Sequence, residues 1–97
     1  MDKHYVLKDK EPVPVDLMTW AKWMEDADRH VAKDTIGDSD ISTVFLGLNN
    51  QFGEGAPMLF ETLVFGGLLD NEMDRYSTWE QAEKGHTEMV ERVKKKC

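Results

Sequence analysis

Residues 41–67 read ISTVFLGL-NNQFGEGAP-MLFETLVF-GG, and this stretch decides the fold. It holds two apolar runs, residues 41–48 and residues 58–65, on either side of a glycine-rich loop. Runs rich in β-branched and aromatic residues around turn-forming residues are typical of a β-hairpin with a long loop. The sequence therefore predicts a central hairpin, whose loop can vary without damage to the core.

The composition indicates one small acidic domain. The chain has 97 residues, of which 40% are hydrophobic and 32% charged, and this suits a single folded unit. Its 19 acidic and 12 basic residues give a net charge of −7, which disfavours nucleic acid and attracts basic protein surfaces. The apolar runs are too short for a membrane span, and residues 1–5 do not resemble a signal peptide. Cys97 has no second cysteine to pair with, which favours a cytoplasmic protein. From the short apolar runs and the negative charge we expect no membrane and no nucleic-acid partner.

The N-terminal half predicts two extended segments and a helix, and then a strand. Residues 4–8 alternate as a short strand, and residues 11–15 run extended because their prolines fix φ. Asp16 is a good N-cap for a helix that should end near residues 29–31. A strand over residues 31–36 and a turn are expected to follow. The apolar side of the helix, at helical spacing, is formed by Leu17, Trp20, Ala21, Met24, Ala27 and Val31.

A second helix is predicted at the C-terminal end. Ser77 and Glu80 have the spacing of a capping box, and residues 68–75 before them are expected to form an irregular connection. The apolar stripe of this helix is formed by Trp79, Ala82, His86, Met89, Val90 and Val93. Together the elements predict a single α+β domain over residues 1–97. Its antiparallel sheet has three or four strands around the central hairpin, with two helices packed mainly on one face.

The second run of the hairpin is apolar on both of its faces. Leu63 and Phe65 alternate along it with Phe60 and Val64. Because two helices readily cover only one face of a sheet, we expect a homodimer that covers the other. One core shared by the sheet and both helices is expected to include Trp20, Met24, Phe45, Leu46, Leu63, Phe65, Trp79 and Val90.

Three segments carry a resemblance to other proteins: residues 42–48 (STVFLGL), 59–67 (LFETLVFGG) and 76–86 (YSTWEQAEKGH). They resemble a family of small proteins carried by bacteriophages and prophages, which has no established activity. The resemblance implies a phage setting and supplies no mechanism. Members often carry an Asp-His pair where this chain has Asn49 and Asn50, and this departure argues against a metal or acid–base role for the loop.

His86 and Glu61 are the clearest candidates for chemistry. His86 lies on the apolar stripe of the second helix directly after Gly85, and Glu61 interrupts an apolar run of the hairpin. A buried carboxylic acid beside a histidine can form a general acid–base pair. The structural interpretation, which we favour, is that Gly85 lets the helix approach a strand while His86 hydrogen-bonds across it. Glu61, if buried, then needs a donor, and His86, Arg75 or Thr43 can supply one.

Two patterns match metal sites only in part. Glu83 lies three residues before His86, a spacing that helical di-metal sites use twice and this chain has once. Asp34, Asp38 and Asp40 loosely resemble a calcium loop but lack the EF-hand glycine and terminal glutamate. The hairpin loop lacks the lysine and hydroxyl residue of a P-loop. We therefore expect neither a metal nor a cofactor.

Binding residues are expected in two places. Phe52 and Glu54 lie in the hairpin loop, where an exposed aromatic side chain can anchor a partner. Trp23 lies beside the apolar stripe of the first helix, close to Glu25 and Asp26. A half-exposed tryptophan next to carboxylates favours an interface with a basic protein.

The sequence thus favours a small phage or prophage accessory protein that binds a host or phage protein. The sharpest form of this hypothesis is an inhibitor of a host defence or regulatory factor. An alternative is a small enzyme or ligand-binding domain that uses Glu61 and His86, and a third is a minor structural component of the phage particle. The sequence contains no catalytic signature, so an enzyme is the less favoured class.

Overall fold

The computed structural model describes residues 3–49 and 55–96, which form two antiparallel sheets and two helices. The elements in chain order are β1 (Tyr5–Lys8), β2 (Glu11–Pro14), α1 (Leu17–Asp26), β3 (His30–Ile36), β4 (Ser39–Phe45), β5 (Phe60–Phe65), β6 (Met73–Tyr76) and α2 (Trp79–Lys96). The first two strands pair only with each other as a sheet, and the other four form a sheet in the order β3-β4-β5-β6. The predicted α+β class with a four-stranded antiparallel sheet is confirmed.

The central hairpin is formed by β4 and β5, as the two apolar runs predicted. Thr43 pairs with Thr62 and Phe45 with Phe60 across the ladder. Side chains alternate between the two faces of each strand, and every second one in β4 and β5 is buried. These buried side chains are Ser39, Ile41, Thr43, Phe45, Phe60, Thr62 and Val64.

Helix α2 covers the buried face of this sheet and packs on β3, β4, β5 and β6. Its predicted stripe is confirmed, except that Trp79 is half-buried and Gly85 joins the buried set. A Cβ atom at Gly85 would lie 2.2 Å from the ring of Tyr76 on β6. Glycine is therefore the residue that permits this close approach of helix and strand, as expected.

The cap of α2 lies one residue later than the sequence predicted. Gln81 N donates to Thr78 Oγ1 at 3.1 Å, and Ser77 N donates to Gln81 Oε1 at 3.0 Å. Thr78 therefore takes the capping role expected of Ser77, while Gln81 reaches back to Ser77 N, one residue before the cap. The shift follows from β6, because Leu59 N donates to Tyr76 O at 2.9 Å and the chain stays extended up to that residue.

Helix α1 is shorter than predicted. Asp16 caps its start as expected, since its carboxylate accepts from Thr19 N at 2.8 Å. The helix ends at Asp26 because Ala27 has extended dihedral angles. Val31 consequently belongs to β3, and not to the apolar side of α1. The helix packs against β1 and places Trp23 edge-on to Phe45, with ring centroids 5.8 Å apart.

Two further expectations need correction. Residues 68–75 were expected to be irregular, but the last three of them join Tyr76 in the edge strand β6, which pairs with β5. Phe65, expected in the core, is 50% exposed on the sheet face away from α2. The core itself consists of two clusters, one around Phe45 and Phe60 and the other around Ile41 and Met89. Of the other expected core residues, Val90 is buried, and the half-buried ones are Trp20, Met24, Leu46, Leu63 and Trp79.

Candidate functional site

His86 is the centre of a buried chain of hydrogen bonds between α2 and the sheet. Its side chain is almost fully buried, with Nδ1 2.7 Å from Thr43 Oγ1 and Nε2 2.7 Å from Asp34 Oδ2. Thr43 Oγ1 lies 2.5 Å from the hydroxyl of Thr62, its partner across the hairpin. The chain therefore runs from the half-exposed carboxylate of Asp34 through an imidazole to two buried hydroxyl groups.

The carboxylate of Asp34 sets the direction of these hydrogen bonds. Because an ionised carboxylate can only accept, Nε2 of His86 donates to it. A neutral imidazole then accepts at Nδ1 from Thr43, whose oxygen in turn accepts from Thr62. Hydroxyl, imidazole and carboxylate follow one another in this order in acyl-transfer triads. Thr43, however, is fully buried, so its hydroxyl has no access to a substrate, and the network joins the helix to the sheet.

Glu61 does not meet His86. It lies on the opposite face of β5 from Thr62 and accepts from Arg75 Nε at 3.0 Å. Arg75 is thus the donor among the three candidates considered. Since Glu61 and His86 are on opposite faces of the sheet, they do not converge in one cleft, as an acid–base pair requires.

The metal-like patterns are likewise separated by the fold. Asp34 is bound to His86, and Asp40 accepts from Thr35 Oγ1 at 2.6 Å. No group of three or more potential metal ligands lies together within residues 3–49 and 55–96. His30 contacts Asp28 at the surface.

The phenol of Tyr76 lies near the hydroxyl of Thr62 and so continues the polar region around His86. Burial raises the pKa of its phenol, and the nearby hydroxyl of Thr62 offsets part of that rise. Within the described part of the chain Tyr76 Oη has no hydrogen-bond partner of acceptable geometry, so we regard burial as the governing cause. A buried hydroxyl without a partner lowers stability.

Replacing Tyr76 with Phe should therefore raise the free energy of unfolding by roughly 1 kcal/mol at pH 8. A phenol with a raised folded-state pKa contributes stability below its ordinary value of about 10, and this contribution is lost as pH rises through the folded-state pKa. The wild-type protein should thus lose more stability between pH 9 and pH 11 than Tyr76→Phe. Urea unfolding at both pH values measures this. Equal losses in the two proteins would contradict the burial of the phenol.

The outer surface of α1 combines apolar and acidic side chains. All ten residues of α1 are described, and none of them is buried. Leu17, expected on the apolar stripe, is 56% exposed, and Met18 is 78% exposed. Trp23 is half-buried against Phe45 and so presents only part of its ring. We name the side chains of Leu17, Met18, Trp23, Glu25 and Asp26 the α1 surface.

The charges at the end of α1 are opposite to those that stabilise a helix. Glu25 and Asp26 lie in its last turn, which has no basic residue, although the C-terminal end of a helix favours cations. Neither carboxylate has an ion-pair partner among the described residues. A backbone hydrogen bond from His30 holds the pKa of nearby Asp28 below its ordinary value, so this residue also stays ionised at neutral pH. The end of the helix therefore carries two carboxylates that form no ion pair, with Lys22 one turn earlier.

The start of the hairpin loop lies beside α1. A Cβ atom at Gly47 would lie 3.0 Å from Trp20 Nε1 and 3.3 Å from Met24 Sδ, so the backbone there rests directly on the helix. Phe52 and Glu54 lie outside the described residues, and their roles remain predictions. Gly47, which precedes the loop, therefore lies against the helix on which Trp23, Glu25 and Asp26 were expected to bind.

A separate cavity of about 430 Å³ lies between the β1–β2 turn and the start of α2. The Lys10 ammonium lies 5.5 Å from the centre of the Trp79 ring in this cavity. Its remaining polar walls are mainly the carboxylates of Asp9, Glu11, Glu80 and Glu83. The cavity contains neither Glu61 nor His86, and its acidic lining suits a basic group.

Sequence reasoning missed two features of these sites. Asp34 was considered only as part of a calcium-like pattern, although it is the partner of His86 from 52 residues away. Met18 was not singled out, although an apolar residue outside the predicted stripe is a signal of an exposed apolar side chain.

Within the described residues, neither helix is long and apolar enough to cross a membrane. Comparisons with protein-family models, with curated proteins and with solved structures find no match for this chain.

Proposed function

We propose that this protein acts by binding another protein, through the α1 surface and the hairpin loop. The observation that carries the proposal is that exposed Met18 lies with Glu25 in one shallow hollow of α1, while Glu25 and Asp26 form no ion pair among the described residues. Exposed apolar side chains next to charge of one sign are typical of a protein-binding surface. The charges disfavour the helix that carries them, so their role in helix stability is unfavourable and a role in recognition accounts for them better.

The chemistry of the surface favours a basic partner. The whole chain has a net charge of −7, which steers positively charged proteins toward it. The carboxylates around the Trp79 cavity add to the same field. A phosphate-rich partner would be repelled, so nucleic acid is disfavoured.

The resemblance to phage and prophage proteins suggests the setting of this binding. A small acidic accessory protein of a phage would act in the cytoplasm of the host cell. We propose a host defence or regulatory factor with a basic surface as the partner, which the phage protein inhibits by occupying that surface.

The test is recovery of the partner by tagged wild-type protein and by a Glu25→Lys/Asp26→Lys variant from infected host cells, read by quantitative mass spectrometry. We expect one basic host protein to be recovered by the wild type and lost by the variant. Because lysines suit the C-terminal end of α1, the variant should melt at an equal or slightly higher temperature. Loss of binding and gain of stability together cannot come from unfolding.

A matched control separates this surface from net charge alone. Glu88→Lys/Glu91→Lys makes the same change in net charge on the exposed side of α2. It should retain most of the recovered partner. If both double variants lose it equally, the overall charge is responsible and the α1 surface is not the site. If neither does, the proposal is wrong.

A further inference from the structure

The sheet face opposite α2 is apolar at its centre. Strand alternation places Val44, Leu63, Phe65 and Met73 on this side. Phe65 is 50% exposed and Met73 44% exposed, while Val44 and Leu63 are half-buried. Within residues 3–49 and 55–96, α2 packs on the other face and α1 packs on β1, so no helix covers these four side chains. We name them the open face.

The register of the strands arranges the open face around β5. Leu63 lies between Ser42 of β4 and Met73 of β6 in one row, and Phe65 follows it along the same strand. Glu61 and Arg75 lie side by side at one end and are already paired at 3.0 Å. Leu63 and Phe65 therefore form a short apolar column along β5, with Met73 beside Leu63 and the Glu61–Arg75 pair at one end.

The charge on this side of the sheet distinguishes it from the rest of the surface. On this side of the sheet, the positive charges of Lys33 and Arg75 equal the negative charges of Asp40 and Glu61. The chain as a whole, in contrast, has a net charge of −7. A basic partner finds no net negative charge here. Two copies of an acidic protein, in contrast, repel each other least when they meet through a neutral, apolar-centred surface. The chemistry of the open face therefore fits a second copy of this chain.

We propose that two copies pack face to face through the open face, with a two-fold axis that runs along β5. Packed sheets lie about 10 Å apart with nearly aligned strands, and a two-fold interface brings a residue on the axis next to its own copy. Leu63 and Phe65 then meet the same residues of the second copy. Strand β4 of each copy lies over β6 of the other, so Ser42 faces Met73. This inference is independent of the α1 surface, which stays exposed in the dimer.

Sedimentation velocity on Phe65→Glu and Met73→Glu tests the proposal. The wild type should sediment as a dimer at micromolar concentration. Phe65→Glu opposes like charges across the axis, and Met73→Glu places a charge in the apolar contact with Ser42 of the second copy. Each change should weaken association roughly 100-fold or more. Met18→Glu, at an exposed methionine on α1, is the matched control and should stay dimeric. A wild-type monomer at 100 µM, or variants that stay dimeric, would overturn the proposal.

Cross-linking tests the placement of the axis without relying on charge. In a Cys97→Ser background, a short bis-maleimide reagent that reaches across packed sheets should join Phe65→Cys to its own copy, and it should join Glu88→Cys little. Equal cross-linking at both positions would rule out this interface even if the protein is dimeric.

Discussion

Replacing Phe45 with Ala should lower the free energy of unfolding by about 3–5 kcal/mol. The ring is fully buried and lies between Phe60, at 5.2 Å between centroids, and Trp23, at 5.8 Å. Its removal leaves a cavity that joins β1, α1 and the hairpin, and rigid neighbours on several elements can fill it only in part. Small domains are stable by about 5–15 kcal/mol, so much of the variant should be unfolded. Urea unfolding followed by circular dichroism measures the loss.

Phe65→Ala is the control for this prediction. The two phenylalanines occupy opposite faces of the central sheet, and Phe65 is half exposed. Measured on dilute, monomeric protein, the change should cost less than about 1 kcal/mol, because little apolar surface is withdrawn from water at that position. Equal costs for the two substitutions would show that the far face of the sheet is also packed within one chain.

His86→Ala should cost about 3 kcal/mol or more. The substitution leaves a cavity under α2, and it removes the imidazole to which the buried hydroxyls of Thr43 and Thr62 are hydrogen-bonded. Asp34→Ala is the matched control, since its carboxylate is half exposed and water can replace it. We expect that variant to lose less than about 1 kcal/mol. If His86→Ala loses little free energy of unfolding, or if Asp34→Ala loses more than His86→Ala does, the network does not anchor the helix.

Periodicity predicted the parts of this fold that have one wet and one buried side. One face of β4 and β5 packs on one face of α2, so the buried side chains recur at regular spacing in each element. The pattern is therefore visible in the local sequence, as alternation in the strands and as the helical spacing of Ala82, His86, Met89 and Val93. The cap at Asp16 is likewise local, because its side chain bonds to a residue three positions away.

The features that depend on distant partners could not be predicted. Strand β6 is only four residues long and two of them are charged, so its conformation comes from pairing with β5 and leaves no local pattern. Phe65 lies in a run that is apolar on both sides, and alternation alone does not tell which side a helix will cover. The same holds for the candidate site. The sequence indicated His86 and Glu61 as unusual residues, but only the fold shows that a sheet separates them.

The most direct test of whether function lies on the α1 surface compares two variants, Glu25→Lys/Asp26→Lys and His86→Ala. The measurement is the amount of partner recovered per folded molecule of each. The folded fraction of each protein is measured by circular dichroism at the temperature of the binding assay. We expect the first variant to be fully folded and to lose the partner, and the second to be less stable and to retain it. A His86→Ala protein that melts like the wild type but recovers no partner, beside a charge-reversed variant that still binds, would contradict this account.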